Sequence, residues 1–227
     1  MTKTIRAEFH FHTIYSHDSL VRIPELLDAC QKKGIDRIAI TDHDAIAGAL
    51  EAKELDPERV IVGEEIQTSE GEILGYYMTE LVPHGLTPMQ TVEALKKQGA
   101  VISIAHPFDD HRLAFYLSAS FMEILPHIDG IEVFNARCLD PQYNEKAYAF
   151  AEEHGLLKFA GSDAHSLIEL GRANLLLPEF HDADTLRLAM RSAKFTGGLS
   201  AAWVHLISTY SKAVKGLSHA EGETGGS

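Results

Sequence analysis

The sequence predicts an α/β protein whose mostly parallel sheet closes, or nearly closes, into a barrel. Two observations carry this. Short continuous apolar runs alternate with helical patterns over six or seven units, and strands covered on both faces read as unbroken apolar runs. At 227 residues, 45% of them hydrophobic, the chain is also long enough for one barrel with a full core. An open doubly wound sheet satisfies the same pattern and stands as the alternative.

The elements follow in order. TIRAEFHFH (4–12) reads as the first strand. IPELLDACQKK (23–33) reads as a helix, with Pro24 in its first turn and Gly34 closing it. DRIAIT (36–41) is a strand, followed by a helix near 44–54. RVIVGEEI (59–66) is a strand, and GEILGYYM (71–78) pairs with it through the SEGE turn. TPMQTVEALKKQG (87–99) is a helix that Thr87 and Gln90 open as a capping box. AVISIAHP (100–107), GIEVFN (130–135) and LKFAGSDAH (157–165) are further strands, with the clearest intervening helix near 141–154. RANLLLP (172–178) reads as the last strand, before helices near 182–193 and 202–215. No internal repeat or linker interrupts this, so a single domain over 1–217 is expected. The polar, Gly-rich end 218–227 is expected to be a disordered tail.

The formal net charge is −13. Affinity for duplex nucleic acid comes mostly from Lys and Arg neutralising phosphates, so stable duplex binding is not expected. A small phosphorylated substrate is compatible, because a metal supplies local positive charge. The two cysteines, Cys30 and Cys138, form no CxxC pair, which fits a reducing compartment and no disulfide framework. MTKTIRAEFH carries no signal-like apolar stretch and no run approaches a membrane span, so the expected location is cytoplasmic, away from membranes.

The chemistry gathers at the strand ends. The first ends in His10 and His12, with His17 close behind; the second in Asp42, His43 and Asp44; the third in Glu64 and Glu65. The run AVISIAHP ends in His106, GIEVFN leads into Asn135 and Arg137, and LKFAGSDAH ends in Asp163 and His165. In a parallel barrel these ends meet on one face, where barrel enzymes place their sites. Along a strand, residues i and i+2 share a side, so His10 and His12 are expected to face one way and Phe9 and Phe11 the other. Imidazoles and carboxylates are the ligands that Zn²⁺, Mn²⁺ and Fe²⁺ prefer. HxH alone is a weak signal. HxH, a nearby third His, DH, GxE, HP and DxH in this order make a strong one.

These motifs (FHFHTIYSHDS, ITDHD, VGEEI, AHPFD, AGSDAH) resemble the PHP (polymerase and histidinol phosphatase) family of metal-dependent phosphoesterases. The resemblance runs from about residue 5 to about residue 212. It implies a distorted seven-stranded (β/α) barrel with two or three divalent metal ions, Mn²⁺, Zn²⁺ or Fe²⁺, at the C-terminal ends of the strands. By resemblance, His10, His12, Glu65 and Asp163 hold one metal. Glu65 bridges to a second, which His106 also binds. His17, His43 and His165 hold a third. Some members place another histidine on the second metal, and His84 is the candidate here. Some also insert a small helical subdomain where this chain has only the short segment 66–100, so a more open site is expected.

The function expected on this resemblance is hydrolysis of a small phosphate ester, nucleotide or sugar-phosphate in kind, through a metal-activated hydroxide. His17, His43, His165 and Asp163 are the expected catalytic groups, alone or through a metal. Arg137 and Arg112 are candidates for holding the phosphate, since guanidinium pairs bidentately with its oxygens. Asp42 and Asp44 read as ligand-orienting carboxylates or, for Asp44, a helix cap. His111, His127, His154, His181, His205 and His219 fall outside the strand-end pattern and read as surface or helix-end residues. Three other functions fit less well. An amidohydrolase barrel also opens with HxH, but its bridging residue follows strand four and its late acid is a lone Asp. A nuclease trimming short single strands sits uneasily with the charge. A non-catalytic metal-binding module would not need all these ligands.

Overall fold

The computed structural model describes residues 3–112 and 118–224. Among them, nine strands form one sheet: β1 (Thr4–Glu8), β2 (Arg37–Ile40), β3 (Val60–Gln67), β4 (Glu72–Tyr76), β5 (Val101–Ile104), β6 (Gly130–Asn135), β7 (Leu157–Gly161), β8 (Ala173–Pro178) and β9 (Lys194–Gly197). Their spatial order is β7-β6-β5-β4-β3-β2-β1-β8-β9. The helices are α1 (Ile23–Lys33), α2 (Ala47–Leu55), α3 (Pro88–Lys97), α4 (Ala119–Ile124), α5 (Pro141–His154), α6 (Ala183–Met190) and α7 (His205–Thr224). α7 carries helical backbone through 218–224, the first part of the segment expected as a tail, and 225–227 lie outside the described residues. No helix among the described residues is long and apolar enough to cross a membrane.

The sheet departs from the expected seven strands and from mostly parallel pairing. β4 runs antiparallel to both β3 and β5, because the SEGE turn is far too short for the crossover that a parallel return needs. β8 runs antiparallel to β1 for the same reason, since 162–172 contains no helix. β9 pairs antiparallel with β8 and is exposed along its length. Its KFTG sequence has no apolar run to announce it. The remaining neighbours, β1–β2, β2–β3, β5–β6 and β6–β7, are parallel as expected.

The sheet nearly closes between its first and seventh strands. Phe11 bridges Ala164 in parallel, with His12 N donating to Ala164 O at 2.9 Å and Ala164 N to His10 O at 3.3 Å. One face packs under the helices through Ile38, Ile40, Val60, Val62 and Ile73. The other encloses Ile5, Ala7, Ala39, Ile61, Leu74 and Val101, with Leu186 and Met190 of α6. At the heart of this inner cluster Phe9, Tyr76 and Phe159 meet at centroid separations of 5.4, 5.6 and 5.2 Å. Truncating one such buried ring costs about 3–5 kcal/mol. The layer above them, toward the C-terminal strand ends, is polar.

Candidate metal centre

β1 stops at Glu8, short of the strand expected to reach residue 12. The Glu8 carboxylate accepts from Phe9 N at 3.1 Å, His10 N at 3.2 Å and Ser162 N at 2.9 Å, so it takes hydrogen bonds that a ladder would have used. Burial pushes its pKa up to about 7. The break also spoils simple alternation. Phe9 falls in the inner cluster and Phe11 in the outer one, while His10 and His12 still meet, their rings 5.0 Å apart.

The next loop is built on Asp42, which accepts from Thr13 N at 2.5 Å, Thr13 Oγ1 at 2.6 Å and Ser16 Oγ at 3.0 Å. Ser16 Oγ lies 3.0 Å from His12 Nδ1 and accepts from His43 N at 2.9 Å. Asp42 thus holds the His12 imidazole and the His43 backbone in place through one serine. Asp44 does not cap α2, which begins at Ala47 with no side-chain cap; its Oδ1 accepts from Gln67 N at 2.9 Å.

Glu65 stands at the centre. Its Oε2 is 3.1 Å from His10 Nε2, 3.2 Å from His12 Nε2 and 3.1 Å from His43 Nδ1. Its Oε1 is 3.2 Å from His106 Nε2. Asp163 Oδ1 lies 3.4 Å from His12 Nε2 and 3.8 Å from His10 Nε2. Glu64 faces away, accepting from Val82 N at 3.1 Å, and burial pushes it up to about 8. His106 and Asp163 both hold positive φ, 25° and 50°. Such backbone costs on the order of 1–3 kcal/mol each in a non-glycine residue and clusters at working sites.

Among the described residues, three groups of donors have ligand atoms mutually within 4.8 Å: His10–His12–Asp163, His43–Glu65–Glu72, and His12–Asp18–His43–His165. Buried polar atoms normally find hydrogen-bond partners. Here His10 Nε2, His12 Nε2, Glu65 Oε2, Asp163 Oδ1 and Asp18 Oδ1 are buried without one. Donors of this chemistry, orphaned and converging, fit divalent cations.

The electrostatics agree. Burial disfavours charge on every member, yet the surrounding Glu65, Glu132 and Asp163 hold His10 well above the usual imidazole value. His43 is raised to about 10 against its burial by Glu65 and Asp18. Glu65 and Asp163, although buried, are held well below the carboxylate range, by His10 and His43 in one case and Arg112 and His10 in the other. His165 is pushed down to about 3 by burial and by His12.

Four site residues escape sequence reasoning. Asp18 is buried beneath the exposed His17, with Oδ2 3.0 Å from His165 Nε2 and 3.6 Å from His43 Nε2. His17 Nε2 lies 3.8 Å from the same oxygen, and its ring stands 5.0 Å from that of His43. His17 belongs to none of the three groups. Glu72 lies 3.4 Å from His106 Nε2 and 3.8 Å from His43 Nδ1. It falls in the segment read as a turn, but the β3–β4 register pairs it with Gln67 and so sets it on the same face as Glu65. Glu132 Oε1 is 2.9 Å from His10 Nδ1 and its Oε2 accepts from His106 N at 2.9 Å. A carboxylate inside the apolar run of β6 was its signal. Glu169 accepts from His165 N at 3.2 Å and sits 3.4 Å from Arg137 Nε.

The other expected residues divide. Asn135 ends β6 and donates to Glu132 Oε2 at 3.1 Å and Asp163 Oδ2 at 3.2 Å. Arg112 Nη1 lies 2.7 Å from Asp163 Oδ2. Arg137 is buried against the Nδ1 edge of His165. His84 is exposed and joins none of the three groups. Above the cluster opens a cavity of about 410 Å³, lined among others by Arg112, Arg137 and Lys212. His111 and His205, read as surface or helix-end residues, also line it.

A nearly closed α/β barrel with converging histidines and carboxylates beneath an arginine-lined cavity defines a barrel suited to binding divalent metal. The chain belongs to the PHP domain family, whose pattern matches residues 8–162, with the PHP-associated pattern over 141–195. Uncharacterized protein MJ1587 of Methanocaldococcus jannaschii is 37% identical over 145 residues, covering 58% of this chain and 82% of that protein. Among solved structures, a two-domain protein from Bacteroides vulgatus containing a PHP-like metal-dependent phosphoesterase aligns with a TM-score of 0.74 at 20% identity. The alignment covers 87% of this chain and 66% of that one. The lesion-specific endonuclease PfuEndoQ from Pyrococcus furiosus aligns with a TM-score of 0.58 at 17% identity, over 85% and 58% of the two chains. At these identities the structures speak for the fold.

Proposed function

We propose that the protein hydrolyses small phosphate monoesters in the cavity above Glu65. The observation that carries this reading is the convergence of three donor groups, five of whose buried atoms lack a hydrogen-bond partner, beneath a cavity whose walls hold Arg112 and Arg137. Two divalent cations would be held by His10, His12 and Asp163 and by His43, His106 and Glu72, with Glu65 between them. His12, Asp18, His43 and His165 offer a third position. Bound there, the cations supply Lewis acidity and lower the pKa of water toward neutrality.

The chain's own groups do the rest. Glu132 and Asn135 hold His10, His106 and Asp163 in place, so the charge pattern is fixed before substrate arrives. Arg112, raised above its already high pKa mainly by Asp163 against burial, is a permanent cation facing the cavity. Arg137 adds a second guanidinium, held by Glu169 and Ser208. Arg112 suits the oxygens of one phosphoryl group, while Arg137, whose nitrogens already meet His165, Ser208 and Glu169, adds positive charge beside it. His165, pushed down to about 3, stays unprotonated and can ligate.

The test is turnover by the manganese-loaded protein of nucleoside monophosphates, sugar phosphates, a chromogenic monoester and a single-stranded oligonucleotide at matched ionic strength. Several monoesters should be cleaved. The endonuclease among the structural neighbours motivates the last substrate. Faster cleavage of the oligonucleotide than of every monoester would replace this reading with a nuclease.

A further inference from the structure

Both family patterns end by residue 195, and α7 lies beyond them. His205, Ser208 and Lys212 of this helix nevertheless line the cavity. Their spacing, i, i+3 and i+7, sets them on one helical face. The helix is fastened over the site at two points. Arg137 Nη2 donates to Ser208 Oγ at 2.9 Å and to Val204 O at 3.4 Å. Lys215 Nζ donates to Ile14 O and Ser16 O, in the loop that carries His17 and Asp18.

The cations of the cavity are not equivalent. Arg112 is committed to Asp163 at 2.7 Å and Asp109 at 3.6 Å. Lys212 Nζ stands 3.6 Å from Asp18 Oδ2, outside hydrogen-bond reach, and its side chain is 54% exposed. That oxygen already meets His165 Nε2 at 3.0 Å. In a chain of net charge −13, residues 205–217 contain two lysines and no Asp or Glu. This stretch of α7 therefore presents Lys212 and His205 to the cavity with no carboxylate of its own, Asp18 being the acid that Lys212 approaches, while Ser208 Oγ is taken up by Arg137 and His205 O.

We propose that α7 forms a subsite for a second anionic group, held by Lys212 with His205, and that preferred substrates are phosphate esters bearing a further phosphate or carboxylate. This rests on the phosphoesterase reading above. An ammonium is a compact point charge with three rotatable donors, so it accepts either anion without demanding bidentate geometry. The remote group then contributes binding energy away from the reacting phosphorus.

The experiment is calorimetric binding of three non-hydrolysable probes to the manganese-loaded full chain: phenylphosphonate, its para-carboxy derivative and benzene para-diphosphonate. The wild type should bind at least one doubly anionic probe about ten-fold tighter than phenylphosphonate. The carboxy and diphosphonate arms tell which anion is preferred. Lys212→Met should bring the ratio close to one and Lys212→Arg should keep it, with melting temperature recorded for each; Lys212→Gln serves if the methionine variant does not fold. A ratio near one in the wild type, or one unchanged in Lys212→Met, overturns the subsite. Binding is read without turnover, so the two readings fail separately. An inactive protein that keeps the ratio sinks the phosphoesterase reading, and turnover of simple monoesters with a ratio near one sinks only the subsite.

Discussion

Replacing Gly161 by alanine tests how the site is held. Gly161 ends β7 and lies against His10. A Cβ built there stands 2.3 Å from His10 Cβ and 2.7 Å from Glu132 Oε1, whereas ordinary contact begins at 3.4 Å. His10 must therefore retreat by about 1 Å, because a packed interior has no slack to absorb the atom. A Cβ cannot swing aside as the tip of a side chain can, so the backbone after β1 must move. Overpacking of this kind costs about 1–3 kcal/mol. In a chain of this length each kcal/mol lowers Tm by about 2–4 °C, so a loss of about 2–12 °C is expected. The same displacement takes His10 Nε2 out of register with Glu65, now 3.1 Å away, and presses on Glu132, which orients both His10 and His106. Cation affinity should fall at least about ten-fold, as it does when orienting partners are lost. Scanning calorimetry and manganese titration measure both effects. Gly198→Ala is the control, because nothing lies within 4 Å of a Cβ built there. A Gly161→Ala protein that melts with the wild type and binds manganese equally well would refute the reasoning.

Other outcomes follow from the same geometry. His10→Ala and Asp163→Asn should each abolish turnover while circular dichroism stays native, because the apolar strands hold the core; near wild-type turnover in either breaks the ligand assignment. Glu72→Ala should weaken one cation selectively, whereas His84→Ala, changing an exposed loop residue, should be silent in stability and activity; the reverse pattern in metal titrations would restore His84 as the ligand. His10 is held well above the usual imidazole value and His43 is raised to about 10, so at neutral pH they carry protons that a bound cation must displace. Manganese uptake should therefore release protons and tighten as pH rises, read by calorimetry in buffers of different ionisation enthalpy; uptake without proton release contradicts this.

Where local chemistry dictates structure, the sequence spoke clearly. α1 spans Ile23–Lys33 as read, with Gly34 at φ 66° satisfying its end, and α3 opens with the Thr87–Gln90 capping box. Both depend on residues within one turn of the boundary. β9 was not legible, because an exposed four-residue edge strand is selected by the β8 edge and not by its own composition. The strand ends at Glu8 and Gly161 were overrun for a different reason. Apolar and histidine-bearing residues continue past both, and the interruption comes from a Glu8 carboxylate pairing with Ser162, 154 positions away. The strand-end motifs converge as the spacing implied: the structure gathers His10, His12, His43, Glu65, His106, Asp163 and His165 into one cluster. Which of His17 and Asp18 turns inward was not readable, because Asp42, Thr13 and Ser16 set that loop through bonds between distant segments.

The seam beside Glu8 bears on how the molecule is assembled. The first strand emerges from the ribosome with its barrel-closing neighbour still about 150 residues from being made, and the Phe11–Ala164 bridge that completes the ring waits for that neighbour. Contacts of such long sequence separation make folding slow, since chain closure must be met before they reward it. During that interval the nascent chain carries an unsatisfied strand edge and the buried aromatic faces of Phe9 and Phe11 in the open, the condition in which partly folded chains associate. A chain truncated anywhere before Ala164 would remain in that state, with both lips of the ring exposed.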